Sequence, residues 1–260
     1  MKTEDETRRE FLKFGVAGLG SAIVLSSCGS PSSSNTASAN APVVAGKDDN
    51  KEQEKKDPQE MEVTAVEDLM REHGILRRAL LVYSETALRL RKNAADVSPN
   101  AFQKTATLFR TFGEEYHEHK LEEAYIFPRI NEKGKGDALQ YTAILLAQHV
   151  RGREITDYII SVTNRPKLGA NASAFAATLE GFVRMYEHHA AIEDTILFPA
   201  WKGLLTSAEY DELNDKFEDI EHEQFGKDGF DDAVEQIGAI EAELGMNDLS
   251  RFTAPPISTK

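Results

Sequence analysis

Apolar residues recur at helical spacing along most of the chain beyond about residue 62, and no stretch alternates with period two over a useful length. A first helix is expected from the capping box Thr64-x-x-Glu67 to about Asn93, with Leu69, Met70, His73, Leu76, Leu80 and Ala87 on one side. Ser98-Pro99, an N-cap followed by proline at the first helical position, opens a second helix. Gly134, Gly136 and Asp137 break the chain and start a third, with Leu145, Leu146, His149, Gly152, Thr156 and Ile160 inward. Pro166 and Gly169 end it, and a fourth runs from about Ala172 to Trp201. A second capping box, Thr206-x-x-Glu209, opens an acidic helix ending near Phe225-Gly226. A last amphipathic segment covers about Phe230 to Leu244, and both should pack outside a four-helix core.

One five-residue pattern occurs twice, seventy residues apart: Phe112, Tyr116, His119, Glu123, Ile126, then Phe182, Tyr186, His189, Glu193, Ile196. Its 4-3-4-3 spacing is a helical stripe, which sets a His and a Glu one turn apart inside an apolar face. His73 and His149 add two more imidazoles on apolar faces, each with an arginine four residues later, Arg77 and Arg153. A buried carboxylate without a partner costs several kcal/mol, so two such His–Glu pairs are hard to explain as packing alone. His73, His119, Glu123, His149, His189 and Glu193 are therefore the expected ligands of a two-metal site in the bundle core. Imidazole nitrogens with carboxylate oxygens suit iron, manganese or zinc. His117 and His188 are expected to point away from that face. His222, among Glu218, Asp219, Glu221 and Glu223, reads as part of a solvated acidic face.

The amino-terminal stretch follows different rules. Thr7-Arg8-Arg9-Glu10-Phe11-Leu12-Lys13 resembles a twin-arginine export signal, and the uncharged run that follows ends in Leu25-Ser26-Ser27-Cys28, which resembles a lipobox. Cys28 is the only cysteine, so lipidation explains it better than catalysis or a disulfide. Gly29 is not the Asp that retains lipoproteins in the inner membrane, which favours an outer-membrane destination. Residues 29–61 are too polar and charged to bury a core and read as a disordered tether; about thirty residues extend on the order of 100 Å. The expected division is thus signal (1–28), linker (29–61), bundle (62–203) and helical extension (204–250). A net charge of −14 argues against nucleic acid as a partner.

At the candidate ligands the chain resembles the hemerythrin-like, HHE cation-binding family. His119-Lys-Leu-Glu-Glu-Ala-Tyr-Ile-Phe-Pro128, His189-Ala-Ala-Ile-Glu-Asp-Thr-Ile-Leu-Phe-Pro199 and Gln148-His149-Val-Arg-Gly-Arg153 carry the likeness, which spans about residues 66–201. It implies an all-α, up-and-down four-helix bundle with a non-haem di-iron centre that takes dioxygen, nitric oxide or a related small molecule, served by a redox partner. An enzyme reducing nitric oxide or peroxide, and a metal store or sensor, are the alternative readings. Where the family's oxygen carriers have a further His on the third helix, this chain has Arg153. Alignment on Pro128 would choose Glu122 instead of Glu123, while helix periodicity favours Glu123. Asp194 is the alternative to Glu193.

Overall fold

A computed structural model describes residues 63–164 and 171–258. The readings of Arg8, Arg9, Cys28, the 29–61 linker, Pro166 and Gly169 fall outside them. Six helices and no strand are present among the described residues. The first four, α1 to α4, form the expected up-and-down bundle.

Helix α1 is Ala65–Lys92. Helix α2 is continuous through Pro99–Leu108, a π-helical stretch Phe109–Ile126, and Phe127–Lys133. Helix α3 is Gly136–Thr163. Helix α4 joins Ala172–Ile192, the π-helical turn Glu193–Leu197, and Phe198–Lys202. Helices α5 (Ser207–Phe225) and α6 (Gly229–Glu243) complete the fold.

The helix-start signals are realised unequally. Ser98 and Thr206 cap as expected, and Thr206 with Glu209 forms a reciprocal capping box. Thr64 makes no side-chain cap bond. The orphan N–H groups of α1 are taken instead by α5: Ala65 donates to Asn214 Oδ1, and Val66 to the Tyr210 hydroxyl at 3.1 Å. A tertiary contact has replaced the local one. Glu221 is likewise not on a solvated face, because it is buried and accepts the Phe230 N–H at 2.8 Å, while His222 is exposed.

One half of the bundle is aromatic. Phe109, Phe182 and Tyr83 are fully buried, with Phe109 and Tyr83 edge-on to Phe182 at 5.0 and 5.6 Å. Each such side chain contributes about 1.5–3 kcal/mol on burial. Leu146, expected inside, is 43% exposed; Ile159 is fully buried on α3. Gly152 permits the close approach of α3 to α4, since a Cβ there would lie 1.9 Å from the Tyr186 hydroxyl. Helices α5 and α6 lie against α1 and α2, with Trp201 stacked on Phe217 at 5.8 Å.

Candidate metal centre

The site sits where the two π-helical stretches face each other. Directly after each comes a phenylalanine and then a proline, and neither Pro128 nor Pro199 has an N–H to give to the carbonyl four residues back. The chain widens before each proline. Phe127 donates to the Glu122 carbonyl and Phe198 to the Glu193 carbonyl, both five residues back. A widened helix turns more slowly per residue, so the buried line on α2 runs Phe109, Gly113, His117, Glu122, Ile126, at spacings of 4, 4, 5 and 4.

That geometry corrects the expected ligand set. His73, His149, His189 and Glu193 meet in the core, each no more than 3% exposed. His119 does not join them, its side chain being 69% exposed. Glu123 lies outside the ring of imidazole Nε2 atoms and binds the far side of His149. Their places are taken by His117 and Glu122, 1% and 0% exposed. The expected stripe assumed 3.6 residues per turn throughout, and the π-helical stretch rotates the inner face by one to two residues. The signal available in the sequence was the proline: Glu122 and Glu193 each stand five residues before a Phe-Pro pair. His188 is exposed, as expected.

Four imidazoles surround two carboxylates. His117 Nε2 and His149 Nε2 are each 3.3 Å from Glu122 oxygens. His189 Nε2 and His73 Nε2 lie 3.0 and 3.5 Å from Glu193 Oε2. His149 Nε2 and His189 Nε2 are 3.1 Å apart. Neither oxygen of Glu122 or of Glu193 has a hydrogen-bond partner, nor does His117 Nε2.

Each imidazole is held from behind. His73 Nδ1 donates to Asp194 at 2.7 Å, and His117 Nδ1 to Glu72 at 2.6 Å. His149 Nδ1 donates to Glu123 and His189 Nδ1 to Gln148, both at 2.9 Å. With Nδ1 held by an acceptor, Nε2 of every ring faces the centre, the arrangement of a metal-ligating histidine with an orienting acceptor. His73 stacks on Phe198 and His149 on Phe127, both at 5.3 Å.

The centre has an internal two-fold relation. Glu72, His73 and Arg77 on α1 correspond to Gln148, His149 and Arg153 on α3; Glu122, Glu123 and Phe127 on α2 correspond to Glu193, Asp194 and Phe198 on α4. Arg77 binds Asp194 as Arg153 binds Glu123. Arg153 thus braces the carboxylate behind His149 and is not itself among the inner donors. Asp194 is likewise an orienting group, with Glu193 in the inner position.

Electrostatics agree with a cation-binding core. Burial opposes ionisation of Glu122, yet His117 and His149 outweigh it and hold that carboxyl well below its usual range. Burial disfavours a charged His149 too, but Glu118, Glu122 and Glu123 push its pKa up to about 10. Two carboxylates buried without hydrogen bonds demand positive charge at the middle of the cluster. Glu122, His149, His189 and Glu193 offer ligand atoms within 4.8 Å of one another, as do His73, His117 and Glu122. Glu122 belongs to both groups, and His73 reaches Glu193, so the donor set fits two ions sharing two carboxylates. A cavity of about 10 Å³, room for one water-sized molecule, adjoins these ligands and is also lined by Leu76, Leu80 and Tyr186. A larger groove, about 630 Å³, runs between α2 and α5 beside Tyr125 and Trp201, away from all four imidazoles.

Comparison with known proteins agrees with a cation-binding core. The family described as the hemerythrin HHE cation binding domain matches residues 64–201. An uncharacterized protein of Mycobacterium bovis and one of Mycobacterium tuberculosis are each 40% identical over 203 residues, covering 75% of this chain and 76% of the relative. No solved structure matches at comparable significance.

Proposed function

Because the chain belongs to the hemerythrin HHE cation-binding family, we propose that its core holds two iron ions and binds a small molecule such as dioxygen or nitric oxide. The observation that carries this reading is the ring of four Nδ1-anchored imidazoles around two unpartnered carboxylates. His117, His73 and Glu122 would hold one ion; His149, His189 and Glu193 would hold the other, with Glu122 and Glu193 shared. Manganese or zinc suits the same donors. Iron bound there would supply electron exchange and coordination positions for a diatomic ligand. The chain supplies orientation through Asp194, Glu72, Glu123 and Gln148, and size selection through the cavity.

Four imidazoles with Arg153 turned to carboxylates leave fewer nitrogen donors than an oxygen carrier uses. The reduced protein is therefore expected to be oxidised by air or to bind nitric oxide without storing oxygen. The test reduces iron-loaded protein anaerobically, admits oxygen and follows the visible spectrum. A spectrum that forms in air and reverses under vacuum would overturn this reading.

A second reading, reduction of nitric oxide or peroxide, is favoured by Tyr186 and Glu118. Both line the cavity, and the hydroxyl donates to the carboxylate at 2.7 Å. Turnover with an electron donor, where the first reading gives only stoichiometric binding, separates the two. The amino-terminal stretch supports a further part of the proposal: export by the twin-arginine route, then attachment to the cell envelope through lipidated Cys28. No described helix is long and apolar enough to cross a membrane.

A further inference from the structure

The small cavity beside the proposed metal centre has one wall that reaches solvent. Among its lining residues, Leu76, Leu80, His117, Tyr186 and Ala190 are each at most 5% exposed, and the other buried members are no more open. Arg77 is the exception, with its side chain 42% exposed. It stands one turn after His73 on α1, and both side chains reach Asp194: His73 through Nδ1, Arg77 through its guanidinium. The related position on the opposite helix pair is built differently. Arg153 bonds to Glu118 at 3.2 Å as well as to Glu123, and it does not line the cavity.

From this asymmetry we infer that Arg77 is the door of the ligand cavity, latched to Asp194, and that small molecules enter and leave by displacing its guanidinium. The inference rests on the small-ligand reading above. The physical argument is steric. A cavity with room for one water-sized molecule and fully buried walls elsewhere must exchange its contents through its flexible, partly solvated boundary. An arginine carries several rotatable bonds, so it can swing out without moving the helix, whereas displacing Leu76 or Leu80 would disturb the core. Because Asp194 also orients His73, opening the latch loosens the acceptor behind one ligand at the moment a molecule passes.

Two measurements on the full chain test this. In the first, reduced iron-loaded protein is mixed with nitric oxide and absorbance is followed by stopped flow, for the unmodified protein, Arg77→Ala, Arg77→Lys and the exposed control Arg151→Ala. Removing a conformational barrier should raise the association rate of Arg77→Ala on the order of tenfold. Arg77→Lys, which keeps the charge on a shorter side chain with a smaller head group, should fall between, and Arg151→Ala should match the unmodified protein. Equal rates in proteins that retain both ions overturn the door. In the second, the zinc-loaded protein, diamagnetic and redox-silent, is studied by NMR, and solvent exchange of the His73 Nδ1–H is timed. Arg77→Ala, or Arg77→Lys if the alanine variant loses metal, should speed that exchange several-fold; an unchanged rate overturns the door. If nitric oxide binds to none of these proteins, the small-ligand reading fails, and the exchange rate alone decides the role of Arg77.

Discussion

Phe127 donates its backbone N–H to the carbonyl of Glu122, five residues back, and the same bond joins Phe198 to Glu193. The two carboxylates at the heart of the centre are thus held by the two widened turns ahead of Phe-Pro. This relation sets the register of α2, and it makes the choice between neighbouring residues testable. Glu122→Ala or His117→Ala should lower bound metal from about two ions per chain toward one or none, as loss of a shared carboxylate or an inner imidazole requires. His119→Ala should keep both ions, since that side chain is 69% exposed. Elemental analysis of the purified variants decides it, and metal loss in His119→Ala with retention in His117→Ala would reverse the register.

Glu72 accepts from the Tyr116 hydroxyl at 2.9 Å and from His117 Nδ1 at 2.6 Å, with its own side chain 1% exposed. Glu72→Gln keeps the shape and removes the charge behind the imidazole. Metal affinity should fall about 10–100-fold with helix content unchanged. Competition against a chelator, alongside circular dichroism, reads both quantities. An affinity equal to the unmodified protein would show that the acceptor's charge is immaterial.

Glu114 gives a pH dependence of stability. Burial pushes its carboxyl up to about 7, against the Thr156 hydrogen bond and the charge of Arg110. The folded pKa lies above the ordinary value of 4.5, so this group's contribution is fully present below about pH 4.5 and lost as pH rises through about 7. Glu114→Gln removes that loss. Between pH 5 and pH 8 the unmodified protein should lose up to about 2–3 kcal/mol relative to the variant. Denaturant unfolding at the two pH values checks it, and parallel curves would contradict the assignment.

The proposed export and lipid attachment rest on residues outside the bundle and are tested there. Cys28→Ser should release the protein from membranes, and Arg8→Lys with Arg9→Lys should block its export. A single multi-chain lipid anchor suffices to hold a soluble domain at a bilayer. Recovery of the unmodified protein in the soluble fraction would end the lipoprotein reading.

Periodicity alone specified four core helices, the two outer ones, and three of the four central imidazoles. His73, His149 and His189 lie on ordinary α-helix, where residues 3.6 per turn apart share a face, so their inward direction could be read without coordinates. Glu193 was legible because it opens the widened turn one helical turn beyond His189, before the extra residue has rotated the face. Tertiary structure decided the rest. His117 and Glu122 stand in a π-helical stretch, and a period fixed at 3.6 turns their side chains outward when the widened backbone turns them in. The acceptors behind the imidazoles were also beyond the sequence, although Glu72 and Gln148 each directly precede one of the inner histidines. A hydrogen bond from His117 on α2 to Glu72 on α1, or from Ala65 on α1 to Asn214 on α5, joins residues far apart in the chain. Local pattern records which face of one helix is apolar. Which side chain of another helix meets that face depends on how the helices pack.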